Sequence, residues 1–319
     1  MHREMHREMH REMHREMHRE IRLNGPLDTV ATLRVLEHGR GDPCLRIDSS
    51  GIWRATRTPQ GPATMHIEAR GSSAPRSRTV LVRAWGPGSD WSLSHADQLI
   101  GADDRPWELK PAHRLLSGAA RRNPGLRMCR SLAVTEALVP TIIGQKVPVA
   151  AAHRSYRALV LAHPEPAPGP AGLVLPPDPG LLASLGYEAF HRFDIERRRA
   201  ETIRRVCALH DRLGSLVSLS GAELVTRLQA VPGLGPWTAS KTAQVVLGDP
   251  DAVILGDYHL PNTVAWVLAG EPRADDARMV ALLEPFAPHR GRVQRLLTAA
   301  GLKAPRFGPK LPIVTFADR

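Results

Sequence analysis

Two residues twenty positions apart, Trp237 and Asp257, are the pair in this chain with the clearest capacity for chemistry. Asp257 lies in Gly256-Asp257-Tyr258, and Pro261 suits the first turn of a following helix. Its carboxylate therefore stands one turn ahead of a positive helix end, where the charged form is favoured. A carboxylate held in that way can stabilise positive charge developing on a reacting atom. Trp237 adds an electron-rich ring, which holds a cation by about 0.5–2 kcal/mol; packing among helices is its alternative role. Just upstream, Val231-Pro232-Gly233-Leu234-Gly235 reads as a turn whose two glycines allow positive φ. The N–H groups left uncovered at a helix N-terminus suit a phosphate.

Three helices must position these groups. Ser220 and Glu223 form a capping box, with Leu219 and Leu224 placed as a hydrophobic staple, so a first helix runs to about Ala230. Pro236 opens a second helix. In it Ala239, Ala243 and Val246 share one face, while Trp237, Lys241 and Gln244 lie roughly 200° away at about 100° per residue. Pro261 opens a third helix containing Val264, Val267 and Leu268. Asp249 and Asp251 are alternative acids, but Asp249-Pro250 reads as a turn and neither precedes a helix directly.

The composition points to a polyanionic partner. The formal net charge is +11 over 319 residues, and the first twenty residues, with five Arg and five Glu, contribute none of it. Cys44, Cys129 and Cys207 have neither metal-ligand spacing nor an even count. Disulfides, a zinc site and an iron–sulfur cluster are not expected, and a reducing cytoplasm is. No apolar run reaches membrane-spanning length, and no secretory signal is evident.

Residues 1–20 are five copies of Met-His-Arg-Glu. His pairs at i,i+4 could catch a metal, but the expectation is a tandem-repeat tail outside the fold. From Ile21 to about Lys110, alternating runs at Thr32–Leu36, Cys44–Ile47, Gly51–Thr56, Ala63–Ala69 and Thr79–Trp85 predict an antiparallel sheet. A short helix is predicted around Leu93–Ile100. Helices follow over 111–301: one near Leu132–Ile143 interrupted by Pro140, one from Pro148 to Ala162, and one capped by Asp194 and running to Leu213. The seven prolines of His163–Gly180 predict an extended surface connection. Arg197, Arg198, Arg204 and Arg205 reach phosphate or form a solvated face. Residues 302–319 read as a basic tail. The fold class is α+β, an N-terminal antiparallel-sheet domain followed by an all-α region.

The hairpin and the acid together, in order, spacing and residue type, resemble the helix-hairpin-helix (HhH-GPD) DNA glycosylases, and the whole of about Ile21–Gly301 resembles the 3-methyladenine DNA glycosylase II type. The resemblance implies an active site in the cleft between helical subdomains and a monomer acting on double-stranded DNA with damaged bases, close to a bacterial nucleoid. It implies that Asp257 is the catalytic carboxylate, that Trp237, Lys241, Tyr258 and His289 line a base pocket, and that Gln145, Lys146, Gly233, Leu234, Gly235, Thr238 and Arg290 meet DNA. It further implies a monovalent cation on the backbone carbonyls of Gln229, Val231 and Leu234, with no other cofactor.

The chemistry expected is hydrolysis of an N-glycosidic bond to an N-alkylated purine after base flipping, in base-excision repair. Deaminated or oxidised bases, or DNA binding without catalysis, are the alternatives. Trp237 occupies the place of the Schiff-base lysine of bifunctional relatives, which argues against lyase chemistry. Three positions depart from the family pattern. Lys146 stands where an apolar wedge is usual; it can reach phosphate or the orphaned base, or stay solvated, and Val147 or Gln145 could substitute as wedge. Lys241 stands where a tyrosine is frequent, and His289 where an aromatic is.

Overall fold

In the computed structural model, which describes residues 13, 15–70, 77–110 and 113–305, the alternating runs form one antiparallel sheet. Its strands are β1 (Glu16–Leu27), β2 (Leu45–Asp48), β3 (Gly51–Thr58), β4 (Gly61–Arg70) and β5 (Ser77–Trp85), in the spatial order β1-β5-β4-β3-β2. A strand is absent at Thr32–Leu36. There the Asp28 carboxylate accepts the Ala31 amide at 2.8 Å and starts a helix, α1 (Thr29–Leu33), which continues as a 3-10 turn to Leu36. A good N-cap adds about 1 kcal/mol to a helix and here overrides β-branched propensity.

The fifth strand comes from the repeat instead. Met17-His18-Arg19-Glu20, the last copy, lies in β1, with Met17 opposite Ala84 and Glu20 opposite Leu81. This corrects the expectation that residues 1–20 stand outside the fold. A period of four contains a period of two, so in a strand Met17 and Arg19 share one face and His18 and Glu20 the other. Arg19 then pairs with Asp97, and Glu16 with Arg83 at 3.5 Å. Residues 1–12 and 14, and the expected tail from 306 onward, lie outside the described residues.

One face of the sheet buries Ile21, Ile52, Ile67, Val80 and Val82 against α1, α2 (Ser89–Ser94) and α3 (Ala96–Leu99). Each such side chain contributes about 1.5–3 kcal/mol on burial. The proline-rich segment covers part of the other face: Ala171, Leu173 and Leu175 are buried with Ala55, against Trp53. Residues 163–180 are thus a packed strap rather than a surface connection.

The helical half begins with α4 (Arg114–Arg122), α5 (Val134–Ile143, with Pro140 inside it), α6 (Val149–Ala162), α7 (Pro179–Ser184) and α8 (Tyr187–His191). Then come α9 (Arg197–Ala208), α10 (His210–Gly214), α11 (Gly221–Gln229), α12 (Pro236–Leu247), α13 (Leu260–Ala269), α14 (Asp276–Leu283) and α15 (Arg290–Ala299). Asp194 does not take the N-cap position: its φ is 59°, α9 starts after Glu196, and the predicted long helix breaks at Leu209.

These helices bury two separate cores. Leu138, Ile142, Leu159, Ile203, Leu224, Ala239, Ala243 and Val246 unite α5, α6, α9, α11 and α12. Leu116, Val264, Met279, Leu283, Val293 and Leu297 unite α4, α13, α14 and α15. The segment between α12 and α13, which carries Asp257, crosses from one core to the other.

The sheet domain is fastened to the second core by charge. Arg127, fully buried, donates to the Gly101 and Ala102 carbonyls at 2.9 Å, and Arg292 forms a two-pronged pair with Asp104. Among the described residues no helix is long and apolar enough to cross a membrane.

Candidate active site

The capping box forms as the sequence predicts: Ser220 Oγ accepts the Glu223 amide at 3.3 Å and the Glu223 carboxylate accepts the Ser220 amide at 3.0 Å. α11 then leads into the hairpin. Gly233 has φ 98°, and a Cβ there would run into the Thr202 side chain, so only glycine fits. Gly235 differs from the expectation, with φ −86° and nothing within 4 Å of an added Cβ. Its lack of a side chain leaves the backbone at the start of α12 uncovered, with Pro236 at the first helical turn. Leu234 is buried and its amide closes the turn on the Val231 carbonyl at 3.1 Å.

Side chains from elsewhere brace this hairpin. Gln145, at the corner between α5 and α6, donates from Nε2 to the Gly233 carbonyl at 3.1 Å and to Thr238 Oγ1 at 2.9 Å. Thr238 is therefore a buried anchor rather than a DNA contact, and Gln145 is not free to act as a wedge. Val147 packs on the first helical core. That leaves Lys146, exposed at φ 57°, as the residue projecting from the corner. Arg205 donates to the Pro232 carbonyl at 2.7 Å, Arg199 to the Ile143 carbonyl at 2.7 Å and Arg204 to the Ala183 carbonyl at 3.4 Å, so three arginines of α9 hold backbone.

The segment that carries Asp257 has no regular structure and is held by side chains that sequence reasoning missed. Gln244 Nε2 donates to the Ala252 carbonyl at 3.2 Å. The Gln294 amide bonds Ile254 in both directions at 2.8 and 3.2 Å, Ser240 Oγ accepts the Leu255 amide at 3.3 Å, and Asp276 accepts the Gly256 amide at 2.7 Å. Gln244, expected on the outward face with Trp237, is thus buried, 6% exposed. Its neighbours at helical spacing, Ser240 and Lys241, are polar, so no local pattern marks Gln244 as buried; once buried, its amide needs partners. Gly256, at φ 74°, lets the chain approach α12 so closely that a Cβ would stand 3.4 Å from Trp237 Cβ.

That approach brings the acid and the indole together. Asp257 Oδ1 accepts the His259 and Leu260 amides at 2.8 and 2.9 Å, at the N-terminus of α13, and Oδ2 accepts Trp237 Nε1–H at 3.1 Å. Trp237 is half-buried, its edge turned to the acid, while one face carries the Lys241 ammonium 4.8 Å from the ring centroid. Burial lowers the pKa of Lys241 and the charge of Asp257 opposes that shift. Beyond Lys241 lies a cavity of about 120 Å³ whose walls include His38, Asp42, Arg54, Glu136 and His153.

The other expected site residues lie apart from this group. Tyr258 is 80% exposed, edge-on to the His259 ring, and does not line the cavity beyond Lys241. His289 is buried beside Arg292, whose Nε stands 3.3 Å from Nδ1; burial and the Arg292 charge lower its pKa. Arg290 is held by Asp251 at 2.9 Å and by Glu284 at 2.9 Å, so its charge is spent within the protein. The alternative acids are also engaged, Asp251 with Arg290 and Asp249 with the Asp251 amide at 2.8 Å.

The cavity wall makes the protein sensitive to acid. Burial first, then the charges of Lys241, His153 and Arg54, lowers His38 from 6.5 to about 3. Burial raises Asp42 to about 6 against the hydrogen bonds it accepts from the His38 and Cys44 amides. His38 contributes stability that is complete above its unfolded pKa and is lost as pH falls from 6.5 toward 3. Asp42 does the opposite, its share being complete below 3.8 and lost as pH rises through 6. With the larger shift, His38 prevails. Its share at pH 4.5 is a loss of about 2 kcal/mol, after allowance for solvent reaching a half-buried ring. Urea unfolding at pH 7 and 4.5 should show this loss reduced in His38→Gln and enlarged in Asp42→Asn; an unaltered pH slope in His38→Gln would refute the assignment.

Comparison with known proteins follows this geometry. No family model matches the sequence. Over 167 residues the chain is 31% identical to the Mycobacterium tuberculosis protein named "Probable bifunctional transcriptional activator/DNA repair enzyme AlkA", a match that takes in 51% of this chain and 31% of that protein. Over 180 residues it is 24% identical to the Bacillus subtilis "Putative DNA-3-methyladenine glycosylase YfjP", taking in 54% of this chain and 61% of the relative. The chain thus matches about a third of the first relative's length and less than two thirds of the second's.

Among solved structures, the fold is shared with a 3-methyladenine DNA-glycosylase from Archaeoglobus fulgidus. There the TM-score is 0.72 at 17% identity, over 89% of this chain and 98% of that one. It is also shared with an 8-oxoguanine glycosylase/lyase from Clostridium acetobutylicum, with TM-score 0.64 at 15% identity, over 90% and 98%. One fold therefore serves enzymes named for different bases, and the pocket must decide between them.

Proposed function

We propose that this chain, as a member of the helix-hairpin-helix DNA glycosylases of the 3-methyladenine DNA glycosylase II type, hydrolyses the N-glycosidic bond of N-alkylated purines flipped out of double-stranded DNA, in base-excision repair in the cytoplasm. The observation that carries this reading is the carboxylate of Asp257, fixed by three hydrogen bonds and standing between the two helical cores. With both oxygens held, it is preorganised to meet positive charge developing on the sugar as the base departs. The uncovered backbone at Gly233 and Gly235 takes a phosphate and sets the strand in register, sequence-independently. Lys146 projects from the neighbouring corner toward the same duplex.

Trp237 stands where lyases of the superfamily carry their lysine, which supports hydrolysis without strand cleavage. The name of one relative, a putative DNA-3-methyladenine glycosylase, supports N-alkylated purines as the substrate class. One observation favours the second reading, deaminated or oxidised bases: the ammonium of Lys241 already lies over the indole.

Two further expectations stay as proposals. The protein acts as a monomer, and a monovalent cation sits on the carbonyls of Gln229, Val231 and Leu234. The donor set fits such an ion, because backbone oxygens are neutral and this turn already attracts a cation, the Arg205 guanidinium on the Pro232 carbonyl. Among the described residues no cluster of three or more His, Cys, Asp or Glu side chains could hold a metal.

Incubation with methylated duplex DNA is expected to release free methylated base and leave abasic sites without strand breaks. Intact DNA under conditions where binding is demonstrated would refute catalysis in favour of a DNA-binding protein.

A further inference from the structure

A tryptophan beside a catalytic carboxylate is the natural seat for a cationic base, and in this chain the seat is taken. The Trp237 edge is committed to Asp257 through Nε1, and the Lys241 ammonium stands 4.8 Å from the ring centroid over one face. Lys241 lies one helical turn after Trp237, and Val245, one turn further, reaches the same cavity, so this face of α12 leads from the acid into the pocket. Among the described residues the Lys241 ammonium makes no hydrogen bond or ion pair, although it lines the cavity. An ammonium has three donors and no acceptor, so those donors must be met by water or by a ligand.

The three carboxylates of the wall are already engaged, Glu37 with Arg34 at 3.6 Å. The Glu136 carboxylate is bound by Arg54 at 2.9 Å and by the Arg57 amide at 2.7 Å. Asp42 turns its oxygens to the His38 and Cys44 amides. A ring-cationic base entering here would bring a second positive charge to an indole that already holds one, and beside a half-buried ring charges repel more strongly than in bulk water. An uncharged base with a carbonyl oxygen would instead accept a hydrogen bond from an ammonium that lacks a partner.

We propose that Lys241 is a specificity-determining residue that slows release of ring-cationic alkylated bases and favours uncharged bases bearing a hydrogen-bond-accepting oxygen. The inference rests on the reading of this site as a base-excision pocket and narrows its substrates. It differs from a structural role for Lys241 because its effect has opposite signs on two bases.

The test compares single-turnover release from one duplex carrying either a single 3-methyladenine, which is cationic and has no carbonyl oxygen, or a single hypoxanthine, which is uncharged and carries an oxygen acceptor. Rates are normalised to spontaneous loss of each base. Lys241→Met is expected to raise normalised 3-methyladenine release about tenfold and to lower hypoxanthine release about tenfold, a hundredfold change in their ratio, while Lys241→Arg keeps the wild-type order. An unchanged ratio in Lys241→Met, whether both rates stay level or fall together, overturns the inference while leaving the glycosylase reading intact. Release of neither base by the wild-type protein overturns both. Because Lys241→Arg keeps the charge and Lys241→Met keeps the chain length, a folding defect confined to one of them cannot imitate the crossed pattern.

Discussion

Asp257→Asn is expected to lower base release by about 10³-fold while DNA affinity stays within about threefold of the wild type. The amide is neutral, so the charge opposed to the developing positive sugar is gone. The fold has reason to survive. An asparagine oxygen can still accept the His259 and Leu260 amides that the Oδ1 atom of Asp257 now accepts, and so keep α13 capped. The loss falls on the other side, where an NH2 group would face Trp237 Nε1–H in place of an acceptor. One hydrogen bond lost in a half-buried place costs about 1 kcal/mol, within reach of the protein's stability. Single-turnover release measures the first effect and fluorescence anisotropy with the same duplex measures the second. Undiminished release would mean that another group meets the charge, and Asp249 and Asp251, both already engaged, would then need re-examination.

Gly233→Val and Gly235→Val are expected to fail in different ways although the two glycines are separated only by Leu234. At Gly233 the backbone is in the left-handed region at φ 98°, and any Cβ collides with Thr202. Strain and overpacking together should cost about 3 kcal/mol, read as a lower urea midpoint with unchanged slope. Gly235 has an ordinary φ of −86° and open space around it, so Gly235→Val should unfold like the wild type. Its side chain would instead cover the backbone at the start of α12 and weaken DNA binding about tenfold, equally for every sequence. Equal stability of the two variants would contradict the geometry of the hairpin. Sequence-dependent loss in Gly235→Val would contradict a phosphate contact.

The most local features were the most legible. The Ser220–Glu223 capping box, Pro236 at the first turn of α12 and the inward stripe of Ala239, Ala243 and Val246 each depend on residues within a turn or two, and each is present as expected. The strand that failed, Thr32–Leu36, also had a local cause, the Asp28 cap. The repeat was illegible for another reason. Met-His-Arg-Glu is compatible with a helix or a strand, and only the open edge of β5, supplied some sixty residues later, selects the strand.

The sequence by itself determined the candidate apparatus, meaning the hairpin, the acid and the twenty-position spacing of Trp237 and Asp257, because helix starts, turns and caps are written within short windows. Tertiary structure alone decided what each side chain of that apparatus touches. It turned the Trp237 edge to Asp257 and set Lys241 over its face. It made Gln145 and Thr238 braces of the hairpin, bound Arg290 to Asp251, and removed Tyr258 and His289 from the pocket. The physical reason is that a buried or half-buried polar group must find its partner wherever the packed chain presents one, and His38 and Gln294 come from stretches that no local pattern connects to Trp237 or Asp257.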